Sequence, residues 1–339
     1  MNPQERLYWP DAAKAVSIFL VVLGHTFWFY EQAYPYIYAV HIPMFFFISG
    51  FFFKPNNANN FKKFVFKRLK SRMVPYYLVG SLTLGLFLLR LYLKGAMSGT
   101  EEKEADIYIY QLLVKGSGGH FNPLLWFLPV LFLTETIYCF MYKIVKSQNI
   151  IFVLCIIVFF LSFYIYLPDF YGFDRVPAAL FYFSLGYFMI GKPFLRYYHL
   201  AIFIPIGLLI AHINGRSSIG DMNNTLLFVS ASVLLVYSLF LISMKIPKNN
   251  SIEYIGRKTL TIMLWQSTAF TFCYILSNRV FGYNIYSNLF DSPVLCVFFA
   301  FLNIELILLA DYIFSLITEA FHDLKSKKTI IRLMRVRFR

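Results

Sequence analysis

Apolar residues run along this chain in long unbroken blocks, not in the alternation of a half-buried strand or the one-sided stripe of a surface helix. Ten blocks have about the 18–25 residues that a bilayer-crossing helix requires. They predict helices over 13–30, 36–53, 75–93, 124–142, 150–167, 176–191, 198–214, 224–243, 259–278 and 293–317. The expected fold is all-α: a polytopic integral membrane protein of about ten transmembrane helices. It forms one domain over 1–339, with a basic tail at about 320–339. No internal repeat and no inverted halves are visible, which speaks against the architecture of a secondary transporter.

Composition agrees. Of 339 residues, 59% are hydrophobic and only 14% charged, where a soluble domain has about a quarter charged. The chain holds 40 Phe and 25 Tyr, more apolar surface than a soluble enzyme of this size can hide, and disorder needs low hydrophobicity. Cys139, Cys155, Cys273 and Cys296 are widely spaced inside apolar runs, which suggests neither a disulfide scaffold nor a zinc ribbon. The net charge of +14 would raise nucleic acid as a partner in a soluble protein. Here 24 of the 31 lysines and arginines fall in segments on one side of the ten spans: the N-terminus, 54–74, 143–149, 192–197, 244–258 and the tail. The positive-inside rule then places both termini in the cytoplasm and the long link 94–123 outside. The N-terminus lacks the basic region and cleavage site of a signal peptide.

Within a bilayer, ionisable residues are expensive and mark candidate sites. In the first span Asp11 and Lys14 are three apart and pair on one face. Lys14, Ile18, Val21 and His25 form one stripe about 16 Å long. The alternatives are an interfacial anchor at Asp11 and Lys14 and a packing histidine at His25. His41 opens the second span, and on a short hairpin it is level with His25, roughly 7–8 Å below the outer surface. Two imidazoles at one depth suit proton transfer near neutral pH. Metal binding would need His120 and Glu135 to complete the set, and no metal is expected. Arg68 and Arg72, at i and i+4 in the basic segment 61–75, present two guanidinium forks on one face. They suit either a phosphate-rich ligand or lipid-phosphate anchoring. Glu135 lies deep in the fourth span and must be protonated or paired across helices. Gln266, Asn303 and Asp311 are expected to hydrogen-bond between helices. In the outer link, Gly116-Ser117-Gly118-Gly119-His120 lacks the P-loop Lys-Ser/Thr and reads as a flexible turn.

Several of these residues sit in recognisable motifs: Asp11-x-x-Lys14 with Val22-Leu23-Gly24-His25, His41-Ile42-Pro43-Met44-Phe45-Phe46-Phe47-Ile48-Ser49-Gly50, Arg68-x-x-x-Arg72 with Pro75, and Leu125-Trp126-Phe127-Leu128-Pro129. Together with a weaker match at Leu185-Gly186-Tyr187-Phe188, they resemble the membrane-bound acyltransferase 3 family, and most of all its fucose 4-O-acetylase-like branch. Residues 8–190 carry the resemblance closely. It implies a multi-pass protein of the bacterial cytoplasmic membrane that moves an acetyl (acyl) group from acetyl-CoA to a hydroxyl of a surface polysaccharide or its lipid-linked sugar precursor. It implies His25 as the catalytic residue, Arg68 and Arg72 as acyl-CoA contacts, and Trp126 and Glu135 as site residues. Some members carry a histidine in the ninth helix where this chain has Gln266, and an amide does not shuttle protons.

The two lines converge on one mechanism. CoA phosphates rest on Arg68, Arg72 and Lys14, and the thioester reaches His25 from the cytoplasmic side. His25 takes the proton of the attacking sugar hydroxyl, while His41, Glu135 or Trp126 shapes the site, with Asp11 at its inner end. A covalent acetyl-His intermediate is the competing route. The rival classes are an exporter of polysaccharide or lipid-linked glycan and a structural subunit of a surface-glycan assembly complex.

Overall fold

The computed structural model describes residues 7–93, 99–119, 122–191, 197–281 and 292–337, and two isolated bridges aside, every regular element among them is helical. The α-helices are α1 (Trp9–Gly24), α2 (Phe27–Gln32), α3 (Tyr34–Tyr38), α4 (His41–Phe51), α5 (Phe61–Leu93), α6 (Gly99–Tyr110) and α7 (Phe127–Val145). They continue as α8 (Gln148–Leu161), α9 (Val176–Phe188), α10 (Leu200–Asn214), α11 (Thr225–Lys245), α12 (Asn250–Arg257), α13 (Thr259–Phe281) and α14 (Pro293–Arg337).

Six segments among the described residues are long and apolar enough to cross a bilayer: Pro55–Leu89, Pro123–Val145, Tyr197–Asn214, Thr225–Lys245, Thr259–Arg279 and Pro293–Glu319. The other four expected spans are helical but shorter, with 16 residues in α1, 11 in α4, 14 in α8 and 13 in α9. An 11-residue helix rises only about 16 Å, half a hydrocarbon core. α4 and α9 tolerate this because protein, not lipid, surrounds them: all but two residues of α9 are buried. The two cross closely, for a Cβ on Gly50 would overlap the Phe183 carbonyl and one on Gly186 the Phe47 carbonyl. Apolar side chains of α5, α8, α10, α13 and α14 lie exposed on the outside of the bundle, the surface expected to face lipid.

Three expected boundaries shift. The first span stops at Gly24, because Thr26 turns extended and its hydroxyl donates to the Leu23 carbonyl at 2.6 Å. Residues 27–38 then form α2 and α3, a strap joining α1 to α4. The basic segment 61–75 is not a link before the third span; it is nearly the first half of the continuous α5, which runs through Pro75. That stretch is held from outside its own ladder, with the Tyr76 hydroxyl donating to the Leu112 carbonyl at 2.5 Å and the Tyr108 hydroxyl to the Gly80 carbonyl at 3.0 Å. The described part of the link 94–123 is likewise structured: α6 and a π-helical turn at Gln111–Lys115 run back along α5 and stop at Gly116, whose φ of 69° only glycine adopts cheaply. His120 lies outside the described residues.

At the centre, α1 packs on α4, α11, α12, α13 and α14. α12 presses onto its first turn so closely that a Cβ on Gly256 would meet the Asp11 carbonyl.

Candidate active site

The candidate residues fall into three groups. The first is at the start of α1. Lys14 Nζ donates to Asp11 Oδ1 at 2.7 Å, and Asp11 is only 2% exposed. Arg257 of α12, which is also ion-paired to Glu253, stands 3.9 Å from the other Asp11 oxygen. Asp11 thus serves two cations, and Lys14, a quarter exposed, keeps donors to spare.

The second group joins α5 to α7, which run antiparallel. Arg72 grips Glu135 with two hydrogen bonds of 3.2 Å, Nε to Oε2 and Nη2 to Oε1. Arg68 Nε lies 3.4 Å from Glu135 Oε2 without good hydrogen-bond geometry, and its guanidinium covers the Phe64 ring at 5.0 Å. Glu135 is therefore the carboxylate paired across helices, and two positive forks surround one negative charge. Spacing on α5 puts Arg68 and Arg72 on one face, as expected; that Glu135 meets them depends on the antiparallel register.

The third group is at the far end of α1. His25 caps that helix, and its Nε2 is buried without a hydrogen-bond partner. His41 Nδ1 lies 2.6 Å from the Ile37 carbonyl, which can only accept, so Nδ1 carries the proton and Nε2 keeps its lone pair. The Tyr38 ring packs edge-on against both imidazoles, with centroids 4.7 Å from His41 and 6.3 Å from His25. The two histidines thus share one neighbourhood, organised by a tyrosine the sequence reading did not single out. Its signal was present: Tyr38 precedes His41 by three residues.

Glu135 does not join the histidines. Its neighbour Tyr138, one turn away, packs on Phe53 at 5.1 Å, while His41 lies at the opposite end of α4, roughly 15 Å along the axis. Trp126 is engaged elsewhere, with Arg175 stacked on its ring at 4.6 Å. The expected interhelical hydrogen bonds are also only partly formed. Asp311 pairs with Lys258 at 2.7 Å, but neither polar atom of the Asn303 side chain, nor Gln266 Oε1, has a partner.

What the arrangement offers is a cationic pair and a Lys–Asp pair toward one end of the bundle, and at the other an imidazole pair, His41 buried and His25 partly exposed with its Nε2 turned inward. A family profile described as an acyltransferase domain, that of the acyltransferase 3 family, matches residues 7–310. No curated protein and no solved structure matches the chain. With the match covering all three groups of residues and about nine-tenths of the chain, the chain belongs to the acyltransferase 3 family and is a membrane acyltransferase.

Proposed function

We propose that this acyltransferase is an O-acetyltransferase of the bacterial cytoplasmic membrane, moving acetyl from cytoplasmic acetyl-CoA to a hydroxyl of a surface polysaccharide or its lipid-linked sugar precursor. In its motifs the chain resembles the fucose 4-O-acetylase-like branch of the family. In this reading the ten hydrophobic segments, with both termini cytoplasmic, make up its topology, the short α4 and α9 standing within the bundle.

The observation that carries the reading is the buried, unpartnered Nε2 of His25 beside an imidazole locked in one tautomer. A general base needs a free lone pair within reach of the proton it removes. In the direct route the sugar hydroxyl oxygen bonds to the acetyl carbon as its proton passes to His25 Nε2. The carbon–sulfur bond breaks, and the departing CoA thiolate takes the proton back from the imidazolium. His41 donates to Ile37 and holds the site's shape, and Tyr38 keeps the two rings apart.

The donor's phosphates fit the other end. Arg68, Arg72 and Lys14 offer charge-assisted donors, and Glu135 orients the two forks instead of acting as a base. Asp11 plays the same part for Lys14.

The test is purified protein with radiolabelled acetyl-CoA and a panel of surface glycans. Label appearing in glycan, dependent on His25, supports the reading; glycans that stay unlabelled while chain export depends on the protein would favour the exporter.

A further inference from the structure

The strap α2–α3 that joins the two histidine-bearing helices carries tyrosines at 30, 34 and 38, four residues apart, and their rings form a ladder. Tyr34 stacks on Tyr38 with centroids 3.7 Å apart and planes 9° from parallel, and Tyr30 meets Tyr34 edge-on at 5.4 Å. One end of the ladder is Tyr38, in contact with His25 and His41. The other end is open, where Tyr30 is 39% exposed. The ladder is thus a continuous run of ring contacts from the exposed Tyr30 to the two imidazoles, of which His41 is buried and His25 partly exposed.

Charge gathers at the open end. Arg216, in the link between α10 and α11, lays its guanidinium over Tyr30 at 4.5 Å and over Tyr34 at 4.6 Å. Its Nη1 donates to Glu31 Oε2 at 3.2 Å, and the two side chains are 46% and 53% exposed. Beside them the Tyr36 hydroxyl and His212 Nδ1 share a hydrogen bond of 2.9 Å. Only part of this capacity is spent internally: a guanidinium has five N–H donors and a carboxylate about four acceptor sites. The Arg–Glu pair is neutral in sum, so it does not select for an anion. Side by side, a row of donors and a row of acceptors match two neighbouring hydroxyls, each of which both gives and takes a hydrogen bond. An adjoining aromatic face suits the apolar C–H face of a sugar ring.

We propose that Tyr30, Glu31 and Arg216 form an acceptor subsite of this enzyme, taking a neutral hexose through a vicinal pair of hydroxyls at the open end of the tyrosine ladder that leads to His25. This rests on the O-acetyltransferase reading and adds the place and chemical class of its acceptor. The plain alternative is that Arg216 only pins the strap.

Steady-state kinetics separate the two. Tyr30→Ala, Glu31→Gln and Arg216→Gln are assayed with acetyl-CoA and the methyl glycosides of galactose and fucose, and acetyl-CoA hydrolysis without sugar is followed in parallel. Loss of a hydrogen bond to a charged group predicts about a tenfold or larger rise in acceptor KM for Glu31→Gln and Arg216→Gln. The donor KM and the sugar-free hydrolysis should stay within twofold, and Tyr30→Phe should recover most of what Tyr30→Ala loses. An unchanged acceptor KM overturns the proposal. So does an equal fall in hydrolysis and transfer, the outcome of a loosened strap that misplaces His25. Should the wild-type protein neither hydrolyse acetyl-CoA nor transfer its acetyl group, the O-acetyltransferase reading fails, and this inference with it.

Discussion

Replacing Glu135 by Gln removes one negative charge and almost no volume, and leaves Arg68 and Arg72 facing each other across an amide. In the native protein Arg72 makes two 3.2 Å hydrogen bonds to this carboxylate and Arg68 stands 3.4 Å away. The Glu135 side chain is 3% exposed, while those of Arg72 and Arg68 are 20% and 27% exposed. Breaking a buried pair from one side costs about 3–5 kcal/mol. Water reaching both arginines screens part of that, so about 2–3 kcal/mol is expected for Glu135→Gln. The residues are in direct contact, so a double-mutant cycle with Arg72→Gln should return a coupling of about 1–3 kcal/mol. Reversible unfolding in mixed detergent micelles measures both. Catalysis gives a second readout. With Glu135 as a positioning residue, Glu135→Gln should retain near-normal turnover once acetyl-CoA is saturating. A coupling near zero would refute the ion-pair argument, and a loss of roughly 10²-fold or more in turnover would assign Glu135 the role of proton acceptor.

His25→Gln should lose roughly 10²–10⁴-fold in acetyl transfer with expression unchanged, since Gln keeps a hydrogen-bonding tip but takes no proton; retention of a tenth of the wild-type rate makes His25 structural. Arg68→Gln with Arg72→Gln should raise the acetyl-CoA KM strongly, and Lys at both positions should recover it only in part because a point charge does not reproduce a fork; unchanged donor dependence assigns the pair to lipid anchoring. A C-terminal alkaline phosphatase fusion should be inactive and a C-terminal fluorescent fusion bright, and the reverse pattern sinks the orientation. Gly186→Val should destabilise the protein by about 2 kcal/mol or more, because its Cβ would overlap the Phe47 carbonyl where α4 crosses α9; an unchanged midpoint in thermal unfolding would show that this crossing yields.

The composition and the ten apolar blocks were enough to specify a helical membrane protein, because lipid demands long runs without charge and leaves no other way to satisfy the backbone. The same blocks run past the ends of α4 and α9, which protein encloses. Hydropathy registers whether a segment is apolar, not whether lipid or protein surrounds it, and a helix enclosed by protein is free to be short. Local spacing likewise settled the pairs that share one helix: Asp11 with Lys14 at i,i+3, and Arg68 with Arg72 at i,i+4. It also suggested that His25 and His41 lie at one depth, since a short hairpin joins them.

What spacing along one helix could not reach were the contacts between helices. Glu135 belongs to Arg72, 63 positions away, through the antiparallel register of α5 on α7. Arg257 reaches Asp11 because Gly256 lets α12 settle onto the first turn of α1. Arg216 reaches the tyrosine ladder because the α10–α11 link comes to rest beside the strap. In each case the chemistry was visible as a residue type, while its partner was fixed by which helix packs against which. That choice depends on side-chain shape at the crossings, such as a missing Cβ at Gly50 or Gly186, and no periodicity along a single segment encodes it.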